Sequence, residues 1–302
     1  MSETETLTSV VLKHARDAFV SQANIDAQWR ALNFTSPPDF AKAVDQYDRF
    51  VEAVTTGGAR AHFLPSSDAV GLDSIYVRDA SIVCDRGTVL CSMGKALRQT
   101  EPQEHGHMYD ALGEPALGAV LPPARLEGGD IAWLDDRTLV VGRGYRTNDA
   151  GIAQLRQLVG GGVDLIVVTL PHWRGEADVF HLMSFISPVD ADLAVVYSPL
   201  LPVPFRQLLL ERGTTLVEVP DEEFETMGTN VLAIAPRRCV LLSGNPVTRR
   251  RLEHSGADVV EYDGSEISVK GGGGPTCLTR PLRRLDRLRS SSSEPAPPSA
   301  RL

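Results

Sequence analysis

Apolar residues fall at Phe40, Val44, Tyr47, Phe50 and Val51, in steps of three and four that predict an amphipathic helix over residues 39–54, with Pro37-Pro38 just ahead of it. The period then changes. Residues 74–83 are rich in β-formers, Asp85-Arg86-Gly87 interrupts them and Thr88-Val89-Leu90 follows, which predicts a hairpin. Alternation along its first arm sets Asp73, Ile75, Val77 and Asp79 on one face, two carboxylates flanking an apolar pair. Residues 131–134 and 138–141, split by Asp135-Asp136-Arg137, repeat the hairpin pattern. Thr147-Asn148-Asp149 then predicts the cap of a helix running to Val159; three glycines end it, and the apolar run 165–170 reads as a buried strand. The unit is strand, strand, helix, strand. Weaker copies follow, with strands near 193–197, 215–219, 231–235 and 239–242 and helices near 205–212 and 247–255.

From Ser290 the chain reads Ser-Ser-Ser-Ser-Glu-Pro-Ala-Pro-Pro-Ser, which buries too little apolar surface to offset chain entropy and predicts a disordered tail over 290–302. Nothing earlier reads as a linker, so residues 1–289 are expected to form one compact α/β domain. A net charge of −9 over 302 residues argues against wrapping a nucleic acid and favours a small cationic ligand. No apolar run reaches the roughly 18 residues of a membrane span, and Met1-Ser-Glu-Thr-Glu lacks the basic and apolar parts of a signal peptide, so a cytoplasmic location away from membranes is expected. The four cysteines, Cys84, Cys91, Cys239 and Cys277, suit neither a disulfide framework nor a metal pair.

Five strings carry candidate chemistry. Cys277 follows Gly271-Gly-Gly-Gly-Pro-Thr, where backbone stripped of side chains lets a ligand approach a presented thiol. Asp73 and Asp79 bracket Ser-Ile-Tyr-Val-Arg78. Glu127-Gly-Gly-Asp130 stands at a strand entrance, His181-Leu-Met-Ser-Phe185 follows Asp178-Val-Phe, and Arg146-Thr-Asn148 lies between a strand and a helix start. Each also fits a plainer reading: a small buried cysteine, aspartates that merely bound a strand, a tight turn, a core histidine and a solvated arginine.

Together these strings resemble the guanidine-modifying superfamily of arginine deiminase, glycine amidinotransferase and dimethylarginine dimethylaminohydrolase, most closely the last, over residues 35–285. The resemblance implies a pentein α/β-propeller of five ββαβ units around a pseudo-five-fold axis. It implies Cys277 as nucleophile, His181 as general acid and base, and Glu127 as the carboxylate that orients the imidazole. Asp79 is expected to pair with the substrate guanidinium, Asp73 to line the pocket and Asp130 to support it. Arg98 and Arg146 are expected at the substrate α-carboxylate, and Gly271 is expected to offer its carbonyl to the α-amine. Residues 1–34 match poorly and are expected to act as a lid, with an apolar residue near Phe34 contributing. No metal or other cofactor is implied; a homodimer is a separate expectation, with the oligomeric state left open by the sequence.

Two departures bear on substrate. The deiminases and amidinotransferases carry an acid two positions after the histidine, where this chain has Met183; an uncharged side chain leaves room for N-substituents. The dimethylarginine enzymes read Val-Glu-Asp where this chain reads Val77-Arg78-Asp79, which places a cation beside the expected pocket. The implied activity is hydrolysis of dimethylarginine to citrulline and dimethylamine through a covalent S-alkylthiouronium. The alternatives are an arginine deiminase, an arginine dihydrolase, an amidinotransferase, or a non-catalytic pentein-fold binding protein.

Overall fold

The computed structural model describes residues 2–176 and 180–285. The chain forms β1 (Thr6–Leu12), three helices α1 (Ala15–Phe19), α2 (Gln22–Gln28) and α3 (Phe40–Thr55), and β2 (Arg60–Phe63). Next, β3 (Ser81–Cys84) and β4 (Gly87–Leu90) pair as a hairpin, α4 (Glu101–Leu112) crosses over, and β5 (Ala116–Ala119) returns parallel to β4. The same order builds β6 (Ile131–Trp133), β7 (Thr138–Arg143), α5 (Asp149–Val159) and β8 (Asp164–Thr169). It recurs in β9 (Ile186–Asp190), β10 (Leu193–Val196), α6 (Val203–Glu211) and β11 (Thr215–Glu218). After the short α7 (Asp221–Phe224) come β12 (Val231–Ala235), β13 (Arg238–Leu242), α8 (Pro246–His254) and β14 (Asp258–Tyr262). The last strand, β15 (Arg280–Leu285), pairs antiparallel with β1, and β1 runs parallel to β2. Five ββαβ units result, each a three-stranded sheet, in the pentein arrangement.

Local chemistry explains the elements. The Asp39 carboxylate caps α3 by accepting from Lys42 N at 2.8 Å, and Asn148 caps α5 by accepting from Gly151 N at 2.9 Å. Gly160 ends α5 at φ 76°, a left-handed value that favours glycine. The buried face of α3 carries Tyr47 and Phe50, which pack with Tyr262 of β14 and with Val10 and Leu12 of β1 in one apolar cluster. Phe50 is fully buried, so Phe50→Ala is expected to cost about 3–5 kcal/mol in a denaturant titration, with the slope of the transition retained.

Three expectations are corrected. Residues 73–79 are not a strand: Leu72–Ile75 is a 3₁₀ turn, residues 77–80 continue as a turn, and the strand starts at Ser81. Asp73 is drawn out of any alternation because its carboxylate takes Lys95 Nζ at 2.6 Å and its carbonyl takes Tyr76 N at 2.9 Å. The run 165–170 is an edge strand rather than a buried one, since β8 has a sheet neighbour, β7, on one side only and Val167 is 37% exposed. Residues 6–12 are no lid. Their apolar positions form the middle strand of the sheet that joins the two described ends of the chain, although Leu32, Asn33 and Thr35 do reach the cavity described below. Asp178 and the tail 290–302 lie outside the described residues. No helix among the described residues is long and apolar enough to cross a membrane.

Candidate active site

The loops that lead into the first strand of each unit converge. Residues 72–80 precede β3, Glu127–Asp130 precede β6, His181 precedes β9, Thr229 and Asn230 precede β12, and the glycine run with Cys277 precedes β15. A five-fold repeat thus turns one position in sequence into five walls of one cavity. That cavity, of about 330 Å³, is lined by Asp73, Asp79, Gly129, His181, Asn230, Gly271 and Cys277 among others. Trp173, Phe180, Met183, Phe224 and Met227 give it an apolar side. Glu127 and Asp130 stand behind the wall, fully buried.

Imidazole and carboxylates are tightly placed. His181 Nε2 donates to Glu127 Oε2 at 2.7 Å, while Glu127 Oε1 accepts from Gly94 N at 2.8 Å and Arg146 at 3.0 Å. His181 Nδ1 faces Asp79 Oδ1 at 3.8 Å, beyond hydrogen-bond distance, so its proton is available to a ligand. Asp79 Oδ2 takes Arg98 at 2.7 Å, but the buried Asp79 Oδ1 has no hydrogen-bond donor among the described residues. A buried carboxylate oxygen left without a donor is costly and marks a place for one. Gly129 is required here, since a Cβ at that position would collide with the His181 ring and with Asp79 Oδ1. Gly129→Ala is expected to lower kcat about 100-fold by displacing the imidazole, with the circular dichroism spectrum retained; unchanged turnover would mean the ring needs no such fit.

Residues 18–284 match the family described as N,N dimethylarginine dimethylhydrolase, eukaryotic. The chain belongs to this dimethylarginine hydrolase family. It is 30% identical to the uncharacterized protein YkgA of Bacillus subtilis over 242 residues, 80% of each chain. It is also 30% identical over 247 residues to the N(G),N(G)-dimethylarginine dimethylaminohydrolase of Streptomyces coelicolor, covering 82% of this chain and 88% of that one. Among solved structures, a cysteine-to-serine variant of the Pseudomonas aeruginosa enzyme complexed with citrulline superposes with a TM-score of 0.74 at 22% identity, over 91% of this chain and 98% of that one, which shows the shared fold. Family membership makes this chain an enzyme of the amidine-hydrolysing class and a guanidino-modifying hydrolase.

In this dimethylarginine hydrolase relative, charge is distributed for proton transfer. Burial alone would lower the His181 pKa, but the carboxylates of Asp79, Asp130 and Glu127 outweigh it and raise it to about 9. Burial would raise the Glu127 carboxyl; His181 and Arg146 reverse that and hold it well below the usual range. Burial and the neighbouring Asp79 anion push the Cys277 thiol up. Asp130, pushed up to about 6 mainly by burial, holds the chain beside His181 by accepting from Leu182 N at 3.0 Å.

The two arginines expected at a substrate carboxylate are both paired with buried acids, and Arg98 also lines the cavity. Arg98 donates to Glu101 at 2.9 Å through Nε and 2.8 Å through a terminal nitrogen, to Asp79, and to the Tyr76 carbonyl at 2.9 Å. Arg146 is bound to Glu127 and does not line the cavity. Arg98 and Arg146 are thus paired with Asp79 and Glu127, two of the carboxylates that raise the His181 pKa. Arg78 turns to Glu3, with a terminal nitrogen 2.8 Å from its carboxylate. Gly271 lines the cavity against Phe34 and Tyr76, with no room for a Cβ.

Sequence reasoning missed Asn230 and Lys95. Asn230 Nδ2 donates to Cys277 Sγ at 3.3 Å, and its Oδ1 accepts from Thr276 N at 2.9 Å and Thr276 Oγ1 at 2.8 Å, fixing the loop that carries the thiol. Its signal was the repeat register, since Asn230 immediately precedes a first strand as the other site residues do. Lys95 bridges Asp73 and the Leu32 carbonyl at 2.6 and 2.8 Å. Asp79, Glu127 and His181 offer atoms within 4.8 Å of one another, close enough for a metal ion, yet Arg98 and Arg146 already neutralise those carboxylates.

Proposed function

We propose that the cavity hydrolyses an N-substituted arginine, dimethylarginine foremost, to citrulline and an alkylamine. One observation carries this reading: the donor-less Asp79 Oδ1 lies beside a charged imidazole and a thiol on the same cavity wall. A guanidinium supplies the missing N–H donors and the positive charge together. The apolar side formed by Met183, Phe180 and Trp173 suits N-methyl groups, which an acid in place of Met183 would not.

The chemistry follows from the groups. In the free protein Cys277 is a thiol and His181 an imidazolium at neutral pH, because one pKa is raised and the other is about 9. A cation bound on Asp79 offsets the anion that holds the thiol protonated, so the thiol gives its proton up to solvent water. The thiolate adds to the guanidinium carbon, His181 Nδ1–H protonates the departing nitrogen, and the amine leaves an S-alkylthiouronium on Cys277. The now neutral imidazole takes a proton from water, hydroxide adds to the same carbon, and collapse expels the thiolate, which takes up the surplus proton of the nascent ureido group to become the thiol again as product is released.

The substrate α-carboxylate is assigned to Arg174, a cavity residue whose partner, Glu225, is 54% exposed, so exchange for a ligand costs little. Arg174→Ala is expected to raise KM for α-amino acid substrates about ten-fold with kcat nearly unchanged, and to leave agmatine, which has no carboxylate, unaffected. Equal effects on both would remove Arg174 from that role.

The His181 pKa of about 9 lies above the roughly 6.5 of an unfolded histidine, so its stabilising charge is fully present below about pH 6.5 and lost as pH rises through 9. Accordingly kcat/KM is expected to fall with loss of one proton near pH 9, and alkylation of Cys277 by iodoacetamide in the free protein is expected to be slow at neutral pH.

The deciding assay incubates the protein with arginine, monomethylarginine, asymmetric dimethylarginine and agmatine, and measures ureido product and released amine. Dimethylamine with citrulline supports the reading. Ammonia from unsubstituted arginine alone makes the chain a deiminase, and loss of the ureido product to ornithine makes it a dihydrolase.

A further inference from the structure

Arg78 stands between the substrate cavity and the segment ahead of β1. It belongs to the cavity wall, its terminal nitrogen lies 3.1 Å from Sδ of Met183, another wall residue, and the same nitrogen lies 2.8 Å from Glu3 Oε1. Both partners are buried, Arg78 at 1% exposure and Glu3 at 8%. Nε and the second terminal nitrogen of Arg78 have no hydrogen-bond partner among the described residues. Two more guanidinium groups, buried Arg280 and half-buried Arg284, crowd the pair: Arg280 donates to the Arg78 carbonyl, and Arg284 donates to the Ala233 carbonyl at 2.9 Å and interacts with Glu5. Glu3 is the carboxylate that feels all three arginines. With it in place the cation behind Met183 is balanced; without it a buried positive charge faces whatever occupies the cavity.

We infer that Glu3 is a specificity-determining positioning residue: by neutralising Arg78 it keeps the cavity receptive to a cationic guanidino ligand rather than a neutral ureido one. The inference rests on the reading of the cavity as a guanidinium site. Glu3 touches no substrate and acts through Arg78. Its signature is therefore charge selectivity rather than a general loss of binding, which simple loosening of the fold would give.

The test is a binding cycle in the Cys277→Ser protein, which holds ligand without turnover, using arginine as the cation and citrulline as the neutral isostere in calorimetry. Glu3→Gln is expected to weaken arginine on the order of ten-fold, the scale of one uncompensated charge roughly 10 Å from another at an effective dielectric constant of about 20, and to leave citrulline within about two-fold. Adding Arg78→Met to Glu3→Gln is expected to restore the arginine affinity. Equal weakening of both ligands, or no recovery in the double variant, overturns the inference. If Glu3→Gln alone does not fold, the double variant decides against the Cys277→Ser parent: arginine and citrulline affinities both within about two-fold support the coupling, and arginine weakened about ten-fold with citrulline unchanged refutes it. Failure of the Cys277→Ser parent to bind either ligand instead overturns the guanidinium reading itself, and the inference falls with it.

Discussion

Replacing Cys277 by serine is expected to lower kcat by about 10⁴-fold or more while leaving the fold intact. The size follows from the surroundings. Burial and Asp79 already push the thiol up, and a hydroxyl in the same place, far less acidic, meets the same anion. No neighbouring base rescues it, because His181 is itself charged at neutral pH and its Nε2 proton is held by Glu127. The fold is expected to survive because Asn230 Nδ2, now 3.3 Å from sulfur, can donate to the serine oxygen instead. Circular dichroism and the ureido assay check the two halves; turnover above about 1% of the parent removes Cys277 as nucleophile.

Glu127→Gln is expected to cost about 10³- to 10⁴-fold in kcat, the scale on which an imidazole loses its orienting carboxylate in other enzymes. Two effects combine. The imidazolium loses an anion at 2.7 Å, so the His181 pKa drops and the charged acid is scarcer at neutral pH. Arg146, buried and paired with Glu127, is left with an amide oxygen in place of a charge. The alkaline limb of kcat/KM is therefore expected to move below pH 9 as activity falls, and a fall without that shift would mean Glu127 acts only on structure.

Much of this was legible in the chain because it is written locally. Gly129 beside Asp130, the glycines before Cys277 and the Asn148 cap each announce themselves by residue type, and the hairpins around Asp85-Arg86-Gly87 and Asp135-Asp136-Arg137 show in the period of two. What stayed hidden is set by distant partners. β1 reads as a loose end until β15, more than 260 residues later, pairs with it, which is why residues 1–34 suggested a lid. Nothing in one dimension says which acid pairs with which arginine, so the ion pairs of Arg98 with Glu101 and Asp79 and of Arg146 with Glu127 are visible only in the fold. The Asp73–Asp79 alternation suggested a strand because strand periodicity ignores the pull of Lys95 on Asp73. Asn230, preceded by ordinary turn residues, becomes visible only once the five units are aligned on their first strands.

Carbon of the substrate guanidinium is expected to become bonded to one particular sulfur. Acid-quenching the protein during turnover of asymmetric dimethylarginine, followed by mass spectrometry of the peptide that carries Cys277, tests it. An added mass equal to the substrate less dimethylamine is expected on Cys277, rising and then decaying as product forms. Turnover with that peptide unmodified at every quench time, or with the added mass on Cys84, Cys91 or Cys239, would contradict it.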